Sequence, residues 1–432
     1  MKRPHRRTIA ALLAVALLSG IAAGCGGDDG GGANGDVSGS ISVMGIWTGE
    51  EQKSFEAVIA GFNEEYPDVK VNYNSAGDNL PTVLSTAVEG GNPPDVAAIA
   101  QPGLMTGFVE KGALEPLDYA KDAAVDNFGQ SVVDTGSVDD TFYGLMWKAN
   151  NKSTVWYNVA AFDDAGVEPA ETWDDFVKNG ETIKASGLPA YSIAGADGWT
   201  LTDLFENIYL RTAGADKYDQ LSTHEIPWTD QSVKDALTEM AKVFQDGQNI
   251  AGGTSGALQT DFPTSVSNVF SNNPKAAQVI EADFVNGVVE TPLEPQTGFN
   301  VFTFPQVGDS PPSVVGAGNL FITFRTNPAI EAFINYMTTP ESAEIWAERG
   351  GFSSPNKNLD ADVYPDEILR TTAEDLSSAE VFRFDLSDLQ PAAFGATAGQ
   401  GMWKLFQDFL QNPDDVDGIA DKLEQSAAKA YG

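Results

Sequence analysis

The sequence predicts an α/β fold whose sheet is mostly parallel and covered by helices on both faces. Three observations carry this expectation. From Ser40 onward, short apolar runs alternate with segments of helical spacing, the pattern of strands joined by crossover helices. The chain has one cysteine, Cys25, so no intramolecular disulfide can stand in for core burial. Behind the leader roughly 400 residues remain, enough for two lobes with a core each.

Residues 1–24 read as a secretory signal. Lys2, Arg3, Arg6 and Arg7 precede the apolar run Ile9–Leu18, and Ser19 to Gly24 are mostly small. That order is a charged end, a short hydrophobic stretch and a cleavage site, and the stretch is too short for a comfortable membrane span. Cys25 directly after the small residues resembles a bacterial lipobox, whose sulfur is lipidated. Ala22 stands where that motif usually has Leu; ordinary secretion with a free thiol is the alternative. Residues 25–39 are rich in Gly, Asp and Ser and read as a flexible tether.

The folded body then begins. Ile41–Met44 is a strand, and Phe55, Val58, Ile59 and Phe62 mark a helix by their spacing. Thr48 with Glu51 has the form of a capping box, and Pro67 ends the helix. Val69–Tyr73 alternates as a strand, Leu80–Glu89 is a helix, 95–99 a buried strand and Gly103–Glu110 a helix. Thr154–Tyr157 is a strand, and Thr172 caps the helix that starts at Trp173. Trp199–Leu210 and Val233–Phe244 are amphipathic helices. Phe299–Phe304 and Leu320–Phe324 are strands, and the tail after Gly401 is helical.

Composition removes several functions. The chain carries 25 basic and 62 acidic residues, a formal charge of −37, which becomes −41 once the four basic residues of the leader are gone. Such a field repels nucleic acid and anionic lipid and disfavours anionic ligands, so a neutral ligand fits best. Of the two histidines only His224 survives removal of the leader, too few for a multi-His metal site or, without a GxSxG elbow, for a serine triad. No metal site and no cofactor are expected. Gly316-Ala317-Gly318 lacks the third glycine of a dinucleotide loop. A hydrolase built on two carboxylates is not removed by counting.

Several blocks then resemble one family in order. They are ISVMGIWTGEEQKSFEAVIAGFNEEYPDVKVNY from Ile41, GGNPPDVAAIA from Gly90, the stretch Phe142–Phe176 with its YGL, WYN and TWDDF elements, VVGAGNLFITF, and NYMTTPESAEIWAERGG. The sequence resembles the family 1 extracellular solute-binding proteins of ABC importers, the maltose-binding-protein-like group, from about Ser40 to Tyr431. The resemblance implies a two-lobe periplasmic-binding-protein-like (type II) fold with a central cleft. Lobe 1 would be 40–149 with 315–349, and lobe 2 150–314 with 350–432; hinge crossovers would lie near Lys148–Ser153 and Ser313–Gly316. It also implies a monomeric, non-enzymatic lipoprotein on the outer side of the cytoplasmic membrane. Its partners would be a neutral sugar, expected to be an oligosaccharide, ABC permease subunits, and the membrane only through the lipid. A polyamine binder and a secreted glycoside hydrolase are the alternatives.

A sugar presents C–H faces to flat rings and hydroxyls to directional donors and acceptors. Trp47 and Glu50 lie in the first strand-to-helix loop, at the carboxyl end of a strand where open α/β sheets bind ligands. Asp78 and Asn79 follow the second strand, and Gln101 the third. The family pattern adds Lys148 at the first crossover, Trp199 opening a lobe-2 helix, Asp283 with Phe284, Gly318 with Asn319 at the late crossover, and Trp403. Phe284 departs from the Trp frequent there. Trp156, Tyr157, Trp173 and Trp346 read as packing residues.

Overall fold

The structure, a computed structural model, describes residues 37–432 apart from 290–292, 294 and 380. The signal 1–24, Cys25 and the tether up to 36 lie outside the described residues. Val37 already packs against the first core, and the first strand opens at Gly39, so the last three expected tether residues belong to the body.

The first third follows the expected alternation: β1 (Gly39–Gly45), α1 (Gly49–Glu65), β2 (Val69–Ser75), α2 (Leu80–Glu89), β3 (Val96–Ile99) and α3 (Pro102–Glu110). The elements that build the rest of the site are β4 (Gly144–Asn151), β5 (Thr154–Asn158), α4 (Trp199–Ala213), α5 (Phe262–Val269), β6 (Gln278–Ile280), β7 (Phe299–Thr303), β8 (Ser313–Thr323), α6 (Pro340–Ala347), β9 (Val381–Phe384), α7 (Leu386–Leu389) and α8 (Gly401–Gln411). One sheet runs β9-β8-β3-β1-β2, with β4 also on β8; another runs β6-β5-β7.

Strand direction departs from the expectation. β1 pairs in parallel with β2 and β3, and β8 with β9, but β8 is antiparallel to β3 and β4. The second sheet is wholly antiparallel. Alternation of strand and helix fixes direction only between neighbours in sequence; here more than a hundred residues of largely helical chain separate β5 from β6.

The first core is aromatic. Phe55, Val58, Ile59 and Phe62 turn one face of α1 inward, where Phe55 meets Trp47, Trp147 and Phe321 at ring distances of 4.7, 6.3 and 5.8 Å. Trp147 donates its Nε1 hydrogen to Ser342 Oγ at 3.0 Å. Phe352, Tyr364 and Leu369 pack into this core, whereas α8 and the final helix Val416–Tyr431 pack into the second, around Phe205, Trp228 and Phe406. α4 is buried on every side from Thr200 to Arg211; Asp203, Glu206 and Arg211 therefore lie in the interior and require partners. All eleven residues of β8 are buried. Its Val315 enters the second core, Phe321 the first, and Leu320 and Ile322 a third beneath α2 and α3. Trp156, Tyr157, Trp173 and Trp346 are buried, as their packing role requires.

Phe321→Ala removes a ring touching Trp47, Phe55, Trp147 and Phe333. It should cost about 3–5 kcal/mol of unfolding free energy in urea titration; a loss below about 1 kcal/mol would mean the cluster is loosely packed.

Candidate ligand-binding cleft

A cavity of about 360 Å³ opens between residues of the first sheet with its loops and residues at the starts of helices beyond it, within the range of small-molecule sites. Nine of the twelve residues expected at a ligand line it. Trp47, Asp78, Gln101, Lys148, Gly318 and Asn319 come from the first sheet and its loops; Trp199, Phe284 and Trp403 come from the other side.

Their surroundings differ. Trp47 is 1 % exposed and stands among Phe55, Tyr73, Trp147, Phe321 and Trp346. The loop after β1 folds inward, and Tyr73 Oη donates to the Trp47 carbonyl at 2.9 Å; its ring is a core ring that borders the cavity. Trp403 is likewise 4 % exposed and part of the second core. Trp199 is only half-buried and forms a wall with Phe262 at 5.6 Å and Phe284 at 6.1 Å. Gly198 makes this wall possible. It adopts φ +83°, and a Cβ there would meet Trp403 Cβ at 2.7 Å, so only glycine admits the approach without strain.

Three expected residues do not line the cavity. Glu50 is exposed and pairs with Lys53 at 2.5 Å. Asn79 is exposed at the start of α2. Asp283 is buried and accepts from Asn150 Nδ2 at 3.1 Å and Ser353 Oγ at 2.5 Å. It braces the end of β4 against the 353 segment, while Phe284 beside it takes the cavity-facing position. Burial raises the Asp283 carboxyl above the usual range, against the two donors.

The expected capping box also resolves differently. Thr48 is the N-cap of α1 but makes no side-chain cap bond, and Glu51 reaches Lys148 Nζ at 2.6 Å instead. Lys148, with the Trp346 ring 4.8 Å away and Phe284 at 5.7 Å, is held by charge and by ring faces. Opposite it, the β4–β8 register slips between Asn319 and Leu320. Such a bulge re-aims side chains at a site, and Lys148 and Asn319 both reach the cavity.

Beneath the floor lies a buried charge hub that sequence reading missed. Lys152 Nζ contacts Asp203 at 2.9 Å and Asp385 at 2.5 Å. Burial would lower the Lys152 pKa, but Asp203 and Asp385, then Asp388 and Glu206, outweigh it and keep it well above normal. Burial pushes Asp203 up to about 7 against the pull of Lys152. Asp385, also opposed by burial, is held below its usual value by Lys152 and its donors. Glu206 accepts the backbone N–H of Leu386 and Ser387 at 2.8 and 2.9 Å. The carboxylates of Asp203, Glu206 and Asp385 converge as metal ligands do, but the cation they share is the Lys152 ammonium.

At the mouth, Asp78 faces Asp197. Burial and then the Asp78 charge push Asp197 up to about 7, although its carboxylate accepts the Phe262 N–H at 2.6 Å. Burial raises Asp78, and the nearby Trp199 side chain works the other way. Phe262 was legible in part: Asp261-Phe262-Pro263 has the cap-and-proline form of a helix start, and α5 does begin there with Asp261 capping Thr264 N. Asn150, Lys152, Asp197 and Asp388 carried no local signal, and Glu51 carried only that of a helix cap.

Residues 47–344 match the family model described as bacterial extracellular solute-binding protein. The chain is 31% identical over 393 residues, 89% of this chain and 92% of its counterpart, to the osmoprotective compounds-binding protein GgtB of Synechocystis sp.. It is 33% identical over 399 residues, covering 88% and 85%, to the alpha-glucosides-binding periplasmic protein AglE of Rhizobium meliloti. Among solved structures, the bacterial solute receptor AcbH superposes with a TM-score of 0.81 at 17% identity, covering 92% of this chain and 100% of that one. The binding protein RafE in complex with raffinose gives 0.74 at 20% identity, covering 91% and 100%.

Two outcomes follow from this geometry. Gly198→Ala should lose about 1–3 kcal/mol in chemical denaturation through its positive φ and the clash with Trp403; an unchanged midpoint would refute that tight approach. Asp197 holds its proton up to about pH 7 when folded and about 4 when unfolded, so its contribution to stability is complete below about pH 4 and is lost as pH rises through about 7. In thermal melts across that window, wild type should lose stability with rising pH more steeply than Asp197→Asn; parallel curves would remove Asp197 from the account.

Proposed function

The chain belongs to the bacterial extracellular solute-binding proteins, and on that premise we propose that it captures a neutral, hydroxyl-rich solute, a sugar of about one or two rings, in the cleft and hands it to an ABC permease. It is a binding protein, not an enzyme, as its relatives are. The observation that carries the sugar reading is the Trp199–Phe262–Phe284 wall facing polar groups from the opposite sheet, Gln101, Asn150 and Asn319. Rings suit C–H faces, and amides suit hydroxyls. The cavity has the volume of about twelve waters. A relative named for binding α-glucosides supports a sugar as the solute. Acidic side chains at Glu51, Asp78 and Asp261 around the cavity oppose phosphorylated or acidic sugars.

Burying an aromatic side chain against ligand is worth about 1.5–3 kcal/mol. Two such platforms with several hydrogen bonds reach the ~8 kcal/mol of micromolar affinity after ordering costs. We further propose that the protein works as two lobes, 40–149 with 315–369 and 150–314 with 381–432. The first boundary moves from the sequence expectation because Phe352, Tyr364 and Leu369 pack with lobe 1. Ligand touching both lobes gains its full contacts only when the cleft is shut, which is what drives closure. Among the described residues no helix is long and apolar enough to cross a membrane; the reading includes a monomer tethered through lipidated Cys25.

Calorimetry against trehalose, maltose, sucrose, raffinose and monosaccharides tests the reading. One sugar should bind one-to-one, and Trp199→Ala and Phe262→Ala should each weaken it about tenfold or more. A threefold change or less in both would sink the stacking wall. Mass spectrometry of the mature N-terminus should find an acylated cysteine; an unmodified Gly or Ser start would rule the anchor out.

A further inference from the structure

The cavity floor contains a polar pair that the stacking wall leaves unexplained. Gln101, the N-cap of α3, is 4 % exposed, and its Oε1 is buried without a hydrogen-bond partner. Its side chain lies near the carboxyl of Asp388, which is 5 % exposed on α7 and lines the same cavity. The Asp388 backbone N–H is spent on Asp385 Oδ1 at 2.9 Å, which fixes the turn carrying the carboxyl. Since a buried acceptor without a partner costs about 1–3 kcal/mol, the Oε1 is placed for a donor that arrives with the ligand.

Which way Asp388 completes the pair follows from the hub. Lys152 is one ammonium, and four buried carboxyls, Asp203, Glu206, Asp385 and Asp388, surround it. Its two contacts go to Asp203 and Asp385, and Glu206 is met by two backbone amides. Asp388 receives no such cation contact. We propose that Gln101 and Asp388 form a specificity-determining pair that reads one ligand hydroxyl, which donates to Gln101 Oε1 and accepts from a proton carried by the Asp388 carboxyl. This deepens the sugar-binding reading and rests on it. A methyl ether could not donate and an anion could not be both donor and acceptor, so the pair selects a free hydroxyl.

The groups facing Asp388 support its carrying a proton. Burial raises its pKa well above normal and Asp385 on its own turn adds to this; Lys152 after β4 opposes it, Asp203 on α4 adds to it, and Gln101 opposes it. From the other packed elements, Tyr218 donates to the Phe384 carbonyl, Arg383 is engaged with Asp219, and Glu110 is exposed at the far end of α3. With the pKa raised, the proton persists to higher pH than on an ordinary carboxyl, and the donor is lost as pH rises further.

Two measurements decide it. In carbon-13 NMR of aspartate-labelled full-length protein without sugar, the carboxyl signal that Asp388→Asn removes should remain that of a protonated acid at about pH 7; titration complete below about pH 5 overturns the proposal. In calorimetry, whichever of trehalose, maltose, sucrose or raffinose binds should weaken about tenfold between about pH 6 and about pH 9. Asp388→Asn, which keeps an N–H donor, should flatten that dependence, and Asp388→Ala and Gln101→Ala should each weaken binding about tenfold at the lower pH. Equal affinities in wild type and Asp388→Ala, or an unchanged pH profile in Asp388→Asn, would overturn the pair. Failure of all four sugars alongside a protonated Asp388 would count against the sugar and not against the donor.

Discussion

The Lys152 ammonium, gripped by Asp203 and Asp385, is the constraint on which the cleft depends. Three stretches distant in sequence meet there: the link between β4 and β5, helix α4 with its buried stretch Thr200–Arg211, and the turn into α7. Removing one partner from such a buried pair costs about 3–5 kcal/mol because the remaining charge stays uncompensated. The interaction therefore weighs less as net stability than as a demand on geometry. It leaves these segments one arrangement, and that arrangement sets the cavity floor. Lys152 also lies 5.4 Å from the Trp199 ring centroid, so the hub bears on the stacking wall as well.

The surrounding polar atoms follow from the same demand. α4 is buried on all sides from Thr200 to Arg211, so its charged residues need partners that water would otherwise supply. Glu206 takes two backbone donors at the start of α7, Asp385 takes Ser387 Oγ and the Asp388 N–H, and Arg211 donates to the Ser313 carbonyl at 2.6 Å. A helix with charge at its core thus acts as a hydrogen-bonding template for the loops around it.

What could be read from the sequence was what is local. β1 through α3 follow from alternation, helical spacing and proline stops, because neighbouring residues decide them. The loops after β1, β2 and β3, read as places where a ligand could be met, do border the cavity, since strand ends in such sheets open to one side. What each side chain does there was less legible. Trp47 and Trp199 look alike in sequence, each in a glycine-containing loop beside a helix start, but packing turns one into the core and leaves the other half-exposed. Asp283 and Phe284 are adjacent, yet one is a buried brace and the other lines the cavity. Glu51 read as a cap, although its partner Lys148 is 97 residues away. Lys152 and Asp385 are 233 residues apart, and nothing near either announces the other.

β8 has a mechanical consequence. Lys152 and Asp385 donate their backbone N–H groups to the adjacent carbonyls of Val315 and Gly316 at 2.9 and 2.7 Å, and the strand then continues through Phe321 to Thr323. A single unbroken peptide spine thus threads three hydrophobic interiors, and fraying it at one end strips side chains from the others. Melting should accordingly spread through the whole body as one cooperative event, even though the architecture looks divisible.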